Sequence, residues 1–370
     1  MKILHVVPSV ASGGAERVLA ELVRNTRSTH DHHVVSMTPG TPFFDLSGAH
    51  FESLSLARGS FSASALLRFR ALAKCIGPDI VQGWLYHGNA LASFVRDRGM
   101  PIVWSIHNTD LPPERTKRLT RAVNRAAAAC SGFIPSRIVY TGARARRVHE
   151  HLGYDPTRGV IIANGIDLHA FNADAELRKS ARAAFGVKPC DMVIGSIGRF
   201  DPQKDHATLI RAFARVRAQV DSVLVIAGAG CDVSNEPLMQ WIRAEGVEDA
   251  VRLLGPRSDI PAVMNGLDVL AISSSYGEAM PVVALEAAAT GLAIAATDVG
   301  DVADFLLDDS HVAVPGDPAA LAAALLRAAK DGVRSNASAE RRRRLTEKYS
   351  IETMVGGYVA LYRSLVENNR

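Results

Sequence analysis

The residues most suited to chemistry lie in two short stretches of the second half of the chain. In Ser196-Ile197-Gly198-Arg199-Phe200-Asp201-Pro202-Gln203-Lys204-Asp205, a guanidinium and an ammonium are five residues apart at the end of a strand pattern. Arg199 can fork onto two phosphate oxygens and Lys204 adds a compact point charge, a pairing suited to a diphosphate leaving group without a metal. In Ser275-Tyr276-Gly277-Glu278-Ala279-Met280-Pro281-Val282-Val283-Ala284-Leu285-Glu286, two glutamates are eight residues apart. Pro281 suits the first turn of a helix, which puts Glu278 on the preceding loop and Glu286 in the second turn. The N–H groups of Met280, Val282 and Val283 are then expected to face a bound anion. A retaining glycosidase would hold its carboxylates ~5–5.5 Å apart. Eight helical residues span about 12 Å, so this pair is read as bridging a longer ligand, one acid on sugar hydroxyls and the other on ribose hydroxyls.

Other motifs carry less chemistry. Pro8-Ser9-Val10-Ala11-Ser12-Gly13-Gly14-Ala15-Glu16-Arg17 follows a strand pattern and opens a helix, where Gly13 and Gly14 let the backbone approach an anion. It lacks the Gly-Lys-Ser/Thr of a P-loop and the spacing of a dinucleotide fingerprint. Ala227-Gly228-Ala229-Gly230 reads mainly as a turn, because position 233 is Val. His30-Asp31-His32-His33 has the composition of a metal cluster. It directly precedes a strand, has no partner ligand nearby in sequence, and is read as a polar loop. Arg341–Arg344 reads as a solvated helix face. No metal site is expected.

The elements that position these residues alternate from end to end. Strand patterns occur at Ile3–Val10, His33–Met37, Ile80–Gly83, Ile102–Ile106, Arg137–Thr141 and Val160–Ile162. They recur at Met192–Ile197, Val223–Ala227, Val251–Leu253, Val269–Ile272, Ala293–Ala296 and Val312–Val314. Between them lie helical stretches such as Ala15–Arg27, Leu66–Cys75, Arg115–Cys130, His206–Ala218, Val282–Ala289 and Ala319–Ala329. Strands buried on both faces and joined by helices make parallel sheets, so the class is α/β. Two glycine-opened units, with a polar linker from Asn164 to Ala184, read as two Rossmann-like domains facing across a cleft. The domains are drawn at 1–168 and 169–351, with a helix over 352–370 returning to the first.

Composition bounds the partners. With 42 Lys and Arg against 38 Asp and Glu, the chain is too balanced for a dedicated nucleic-acid binder. Residues 1–170 nevertheless hold 20 basic against 12 acidic side chains, which points that half toward an anionic partner such as lipid or a phosphorylated substrate. In Arg115–Cys130, Arg118, Arg121 and Arg125 share a face, while Leu119, Val123, Ala126 and Cys130 fall on a neighbouring face expected to pack on its own domain. Arg144, Arg146 and Arg147 add positive charge, so an anionic membrane surface is weighed as a partner. No apolar run nears the ~18 residues of a membrane span, and the four cysteines are tens of residues apart. The expectation is a soluble protein of a reducing compartment.

Taken together, Gly13-Gly14-Ala15-Glu16, His107, Asn164-Gly165-Ile166-Asp167, Gly198-Arg199 with Lys204, and Glu278 with Glu286 resemble the family-4 retaining glycosyltransferases of the GT-B fold. The resemblance covers nearly the whole chain. It implies transfer of a hexose from a UDP- or GDP-sugar to a hydroxyl of a glycan or lipid-linked acceptor in polysaccharide or glycoconjugate synthesis. Retained configuration, no cofactor, no metal, and a cytoplasmic setting at or near the inner membrane face are also implied. By resemblance, Arg199 and Lys204 clamp the diphosphate, Glu286 takes the ribose, Glu278 holds the donor sugar, and His107 contacts that sugar. Gly14 approaches the distal phosphate and Arg257 belongs to the base-binding loop. Ala279 departs from the family, many members of which carry Gly there. A GT-B epimerase or phosphorylase, and a sugar-nucleotide-binding protein without transferase activity, are the alternatives.

Overall fold

The computed structural model describes residues 1–11, 13–57, 62–95, 99–109, 112–306, 311–331 and 343–367. The chain divides into two compact units, Met1–Gly165 with Ile351–Arg370, and Ile166–Ser350. Each is a parallel sheet covered by helices.

The first sheet contains β1 (Lys2–Val7), β2 (Asp31–Ser36), β3 (Ala49–Ser53), β4 (Ile80–Trp84), β5 (Ile102–Ile106), β6 (Arg137–Tyr140) and β7 (Gly159–Ile161). Its order is β3-β2-β1-β4-β5-β6-β7. The second contains β8 (Met192–Ile197), β9 (Ser222–Ala227), β10 (Val251–Gly255), β11 (Val269–Ile272), β12 (Ala293–Thr297) and β13 (Val312–Ala313), in the order β10-β9-β8-β11-β12-β13. Strands such as β4, β5, β9 and β12 are buried along their whole length. This is why they read as continuous apolar runs rather than alternating ones. In both sheets the chain winds outward from a central strand and then restarts on its other side. The order therefore reverses between β1 and β4, and between β8 and β11. Loops at the carboxyl ends of such strand pairs diverge to opposite faces and leave a crevice for a ligand.

Three sequence-based expectations need correction. The polar stretch read as linker contains a helix, Ala175–Phe185, capped by Asp174, whose carboxylate accepts from the N–H groups of Glu176 and Leu177. Arg178 and Arg182 on it both pair with Asp268, at 2.5 and 3.1 Å. Arginines that face an acid inside their own domain look, in sequence, like solvated charge. The polar loop at His30–His33 is in large part strand, since Asp31 opens β2 and both His30 and His32 are buried. In the basic helix, here Arg118–Cys130, the packed face is Asn124, Ala127 and Ala128, whereas Leu119 and Ala126 are exposed.

The helix Ile351–Glu367 buries Met354, Tyr358, Tyr362 and Leu365 in the same apolar cluster as Val7, Leu19 and Trp84 of the first unit. The Tyr362 hydroxyl donates to Gln82 Oε1 at 3.1 Å. Of the Arg341–Arg344 run, the first two positions lie outside the described residues, and Arg343 is an exposed partner of Glu347.

Candidate functional site

In the second unit, the loops leaving β8 and β11 are joined by side chains at the carboxyl edge of the sheet. The Ser273 hydroxyl donates to the Lys204 carbonyl at 2.6 Å, and the Ser275 N–H donates to the Gln203 carbonyl at 2.8 Å. Lys204 Nζ reaches Glu278 Oε1 at 2.6 Å, and the Ser274 hydroxyl donates to the same oxygen at 2.9 Å. The side chains of Lys204 and Glu278 are only 19% and 11% exposed, so little water screens the pair. Gly198, Lys204, His206, Ser273, Ser274 and Val283 line a small hollow between these loops. Sequence reasoning missed the three serines; their only signal was a run of small hydroxyl residues just past a strand end.

Two glycines make this approach sterically feasible. At Gly228, with φ of 152°, a Cβ would lie 2.0 Å from the Gly198 carbonyl oxygen, so the Ala227-Gly228-Ala229-Gly230 turn yields space to the Gly198-Arg199 loop. At Gly300, with φ of 70°, a Cβ would lie 2.1 Å from the Ala279 oxygen and 2.5 Å from the Glu278 oxygen. Asp301 N–H donates to that Ala279 carbonyl at 2.6 Å, fixing the segment that carries Glu278. Ala279 itself is buried, and it is not among the residues of positive φ.

Pro281 is the N-cap of the helix Val282–Thr290, which starts at Val282 as the sequence suggested, and Glu286 sits in the second turn at 3% exposure. Val282 and Val283 are half-buried and occupy the first turn of that helix, where backbone N–H groups have no acceptor within it. The Met280 side chain is in the apolar core, which leaves only its backbone for a ligand. Arg199 is 46% exposed and turned back on its own loop, 3.2 Å from Asp201 and 3.3 Å from Gln203. Arg257 follows β10, two strands away from β8, and forks onto Asp259 at 2.7 and 2.5 Å. The structure thus gathers Lys204, Glu278 and the serines, and leaves Arg257 at the sheet edge.

His206, also unflagged by sequence, begins the helix after Lys204 and is buried, with Nε2 3.7 Å from the Cys231 sulfur. Burial, and secondarily the Lys204 charge, lower its pKa to about 4, so it is neutral at pH 7.

In the first unit, Gly13 caps the helix Gly14–Thr26 beyond β1, and its carbonyl accepts the Arg17 N–H at 3.1 Å. A side chain at Gly13 would strike the Glu16 carboxylate, whereas beside Gly14 there is open space. His107 follows β5. Its Nε2 is 2.7 Å from the Ser105 hydroxyl, its ring stacks on Trp84 at 5.5 Å, and desolvation lowers its pKa to about 3. It therefore acts as a neutral hydrogen-bonding group at physiological pH. Trp84 is held in turn by a directional chain. Its indole N–H donates to His5 Nδ1 at 3.3 Å, which makes His5 Nε2 a donor to His32 Nδ1 at 3.0 Å. His32 Nε2 then donates to Thr26 Oγ1 at 2.8 Å, and that hydroxyl donates to the Leu22 carbonyl.

Comparison with known proteins assigns this arrangement to a class. A model described as "Glycosyltransferase Family 4" matches residues 12–170, and one described as "Glycosyl transferases group 1" matches 191–331. The chain belongs to the family-4 type of glycosyltransferases, with two Rossmann-like domains of the GT-B fold. It is 28% identical to a D-inositol 3-phosphate glycosyltransferase of Salinispora arenicola, over 98% of this chain and 86% of that one. A protein of the same name from Rhodococcus erythropolis is 27% identical, over 80% and 71%. Among solved structures, Anabaena Alr3699/HepE in complex with UDP-glucose aligns with a TM-score of 0.83 at 20% identity, over 98% of this chain and 100% of that one. Sucrose-phosphate synthase of Thermosynechococcus elongatus aligns with a TM-score of 0.84 at 17% identity, over 99% of each.

Proposed function

We propose that the protein transfers a hexose from a nucleoside-diphosphate sugar to a hydroxyl acceptor, with retained anomeric configuration and without a metal or cofactor. The observation that carries this reading is the Lys204–Glu278 pair, laced by Ser273 and Ser274 at the point where the strand order reverses between β8 and β11. Breaking the anomeric C–O bond puts positive charge on the sugar and negative charge on the diphosphate. Lys204, a re-aimed Arg199 and the N-terminus of the helix Val282–Thr290 stabilise the diphosphate, a preorganised electrostatic effect of several kcal/mol. Glu278 takes sugar hydroxyls and Glu286 takes the ribose. The acceptor attacks from the face the diphosphate leaves, and the departing phosphate oxygen takes its proton. A uridine donor is favoured over guanosine, because Alr3699/HepE was solved with UDP and with UDP-glucose.

The acceptor is read as a polyol, glycan or lipid-linked hydroxyl of a glycoconjugate pathway, in keeping with relatives named for inositol 3-phosphate. Contact with an anionic inner leaflet is supported by the exposed Arg118, Leu119, Arg125 and Ala126 on one helix. No helix among the described residues is long and apolar enough to cross a membrane. Co-sedimentation with liposomes that rises with anionic lipid content is the expected result, and indifference to it would remove the membrane partner.

The activity is tested by incubating the protein with UDP- and GDP-hexoses and following nucleotide release and product anomers by NMR, with and without EDTA. Release from a uridine donor, unaffected by EDTA and giving a retained product, is expected. Inverted product or dependence on a divalent ion would overturn the mechanism. Binding without release would favour a binding protein.

A further inference from the structure

The histidine-rich stretch that the donor site does not use gains a partner from the next strand. In the parallel ladder of β2 and β3, His33 stands directly beside His50, and Asp31 lies two residues before His33 on the same face. The two imidazole rings stack at 4.7 Å, and each turns its Nε2 toward the one carboxylate. His33 Nε2 is 3.3 Å from Asp31 Oδ2, and His50 Nε2 is 3.7 Å from Asp31 Oδ1. One ligand atom from each of the three residues falls within 4.8 Å of the other two, the one such group among the described residues.

We propose that Asp31, His33 and His50 form a binding site for one divalent transition ion of the zinc class. Bonds of about 2.0–2.1 Å in a tetrahedron put neighbouring ligand atoms about 3.4 Å apart; each imidazole nitrogen already lies near that distance from one oxygen of the shared carboxylate, 3.3 Å from Oδ2 and 3.7 Å from Oδ1, so a small turn of the carboxylate brings one oxygen to both. Two imidazoles and a carboxylate suit Zn²⁺ or Co²⁺, with water in the fourth position, and are poor ligands for Mg²⁺ or Ca²⁺. The side chains of Asp31 and His50 are 47% and 74% exposed, so an ion can enter without local unfolding. The ion would tie edge strand β3 to β2 and does not depend on the donor-site reading.

The test uses the full chain without a histidine tag, stripped with chelator, with exposed Cys75 and Cys190 and half-buried Cys130 replaced by Ser so that no accessible thiol competes. Titration with Co²⁺ should give visible d–d bands without a near-ultraviolet thiolate band, and calorimetry with Zn²⁺ should give one ion per chain. His50→Ala and Asp31→Asn should each weaken Zn²⁺ binding at least about tenfold, with unchanged circular dichroism. Exposed His151→Ala serves as the control and should bind as the parent does. No Zn²⁺ binding by the folded parent, or binding unchanged in both ligand variants, would overturn the proposal.

Discussion

In the proposed donor site, Lys204 and Glu278 supply the main electrostatic constraint. Each is held by the other and by the serine run, so neither would swing freely on arrival of a diphosphate. Lys204→Ala is expected to lower turnover on the order of a hundredfold, as for loss of one charge-stabilising donor. Lys204→Ala/Glu278→Ala should cost less than the two single losses together, because each single change strands a partly buried charge. Steady-state rates of donor turnover across the cycle check both. The types and spacing of Arg199, Lys204, Glu278 and Glu286 were legible in the sequence. Their partners were not, since Ser274 and Gly300 act through contacts that span loops and carry no periodic signature. Arg257 was placed in the base-binding loop by resemblance, and its fork onto Asp259 is a two-residue contact that the sequence shows only in hindsight.

At the level of elements, buried strands and amphipathic helices were readable because an all-parallel sheet needs continuous apolar runs. Edge strand β3, Ala-His-Phe-Glu-Ser, was missed. It is only half-buried along its length and has a ladder partner on one side. The helix Ala175–Phe185 was missed for the opposite reason, since its buried face includes Arg182, at 6% exposure. Asp268 also accepts the Val193 N–H at 2.8 Å, so it joins that helix to the start of β8. Asp268→Ala should destabilise the second unit by about 3 kcal/mol, the cost of leaving a buried charge without its partner. Urea unfolding of the variant measures this, and a change under 1 kcal/mol would show that Arg182 finds equivalent acceptors in the surrounding carbonyls.

Across the whole molecule, several histidines are buried in the neutral form. His5 is held well below its ordinary pKa by burial, His32 and His206 are lowered to about 4, and His107 to about 3. Unfolded, each would bind a proton near pH 6.5. Between that value and its folded pKa the unfolded chain binds more protons, so each histidine's contribution is complete above pH 6.5 and is lost on acidification. Each removes up to ~1.4 kcal/mol of stability per pH unit in that window. Three of the four lie in the first unit, which should therefore lose its urea midpoint faster than the second as pH falls from 7 to 5. Tryptophan fluorescence separates the two, because Trp84 and Trp104 belong to the first unit and Trp241 to the second. None of this was visible in the sequence, where histidines read as polar or ligating residues, because only the fold shows that they are desolvated.

The most direct measurement is calorimetric binding of UDP, GDP and ADP to the wild type, Glu286→Gln and Lys204→Ala. UDP is expected to bind the wild type and both substitutions to weaken it, with the folded state intact by circular dichroism. Absence of binding by all three nucleotides, or UDP affinity unchanged in both variants, would contradict the proposed donor site.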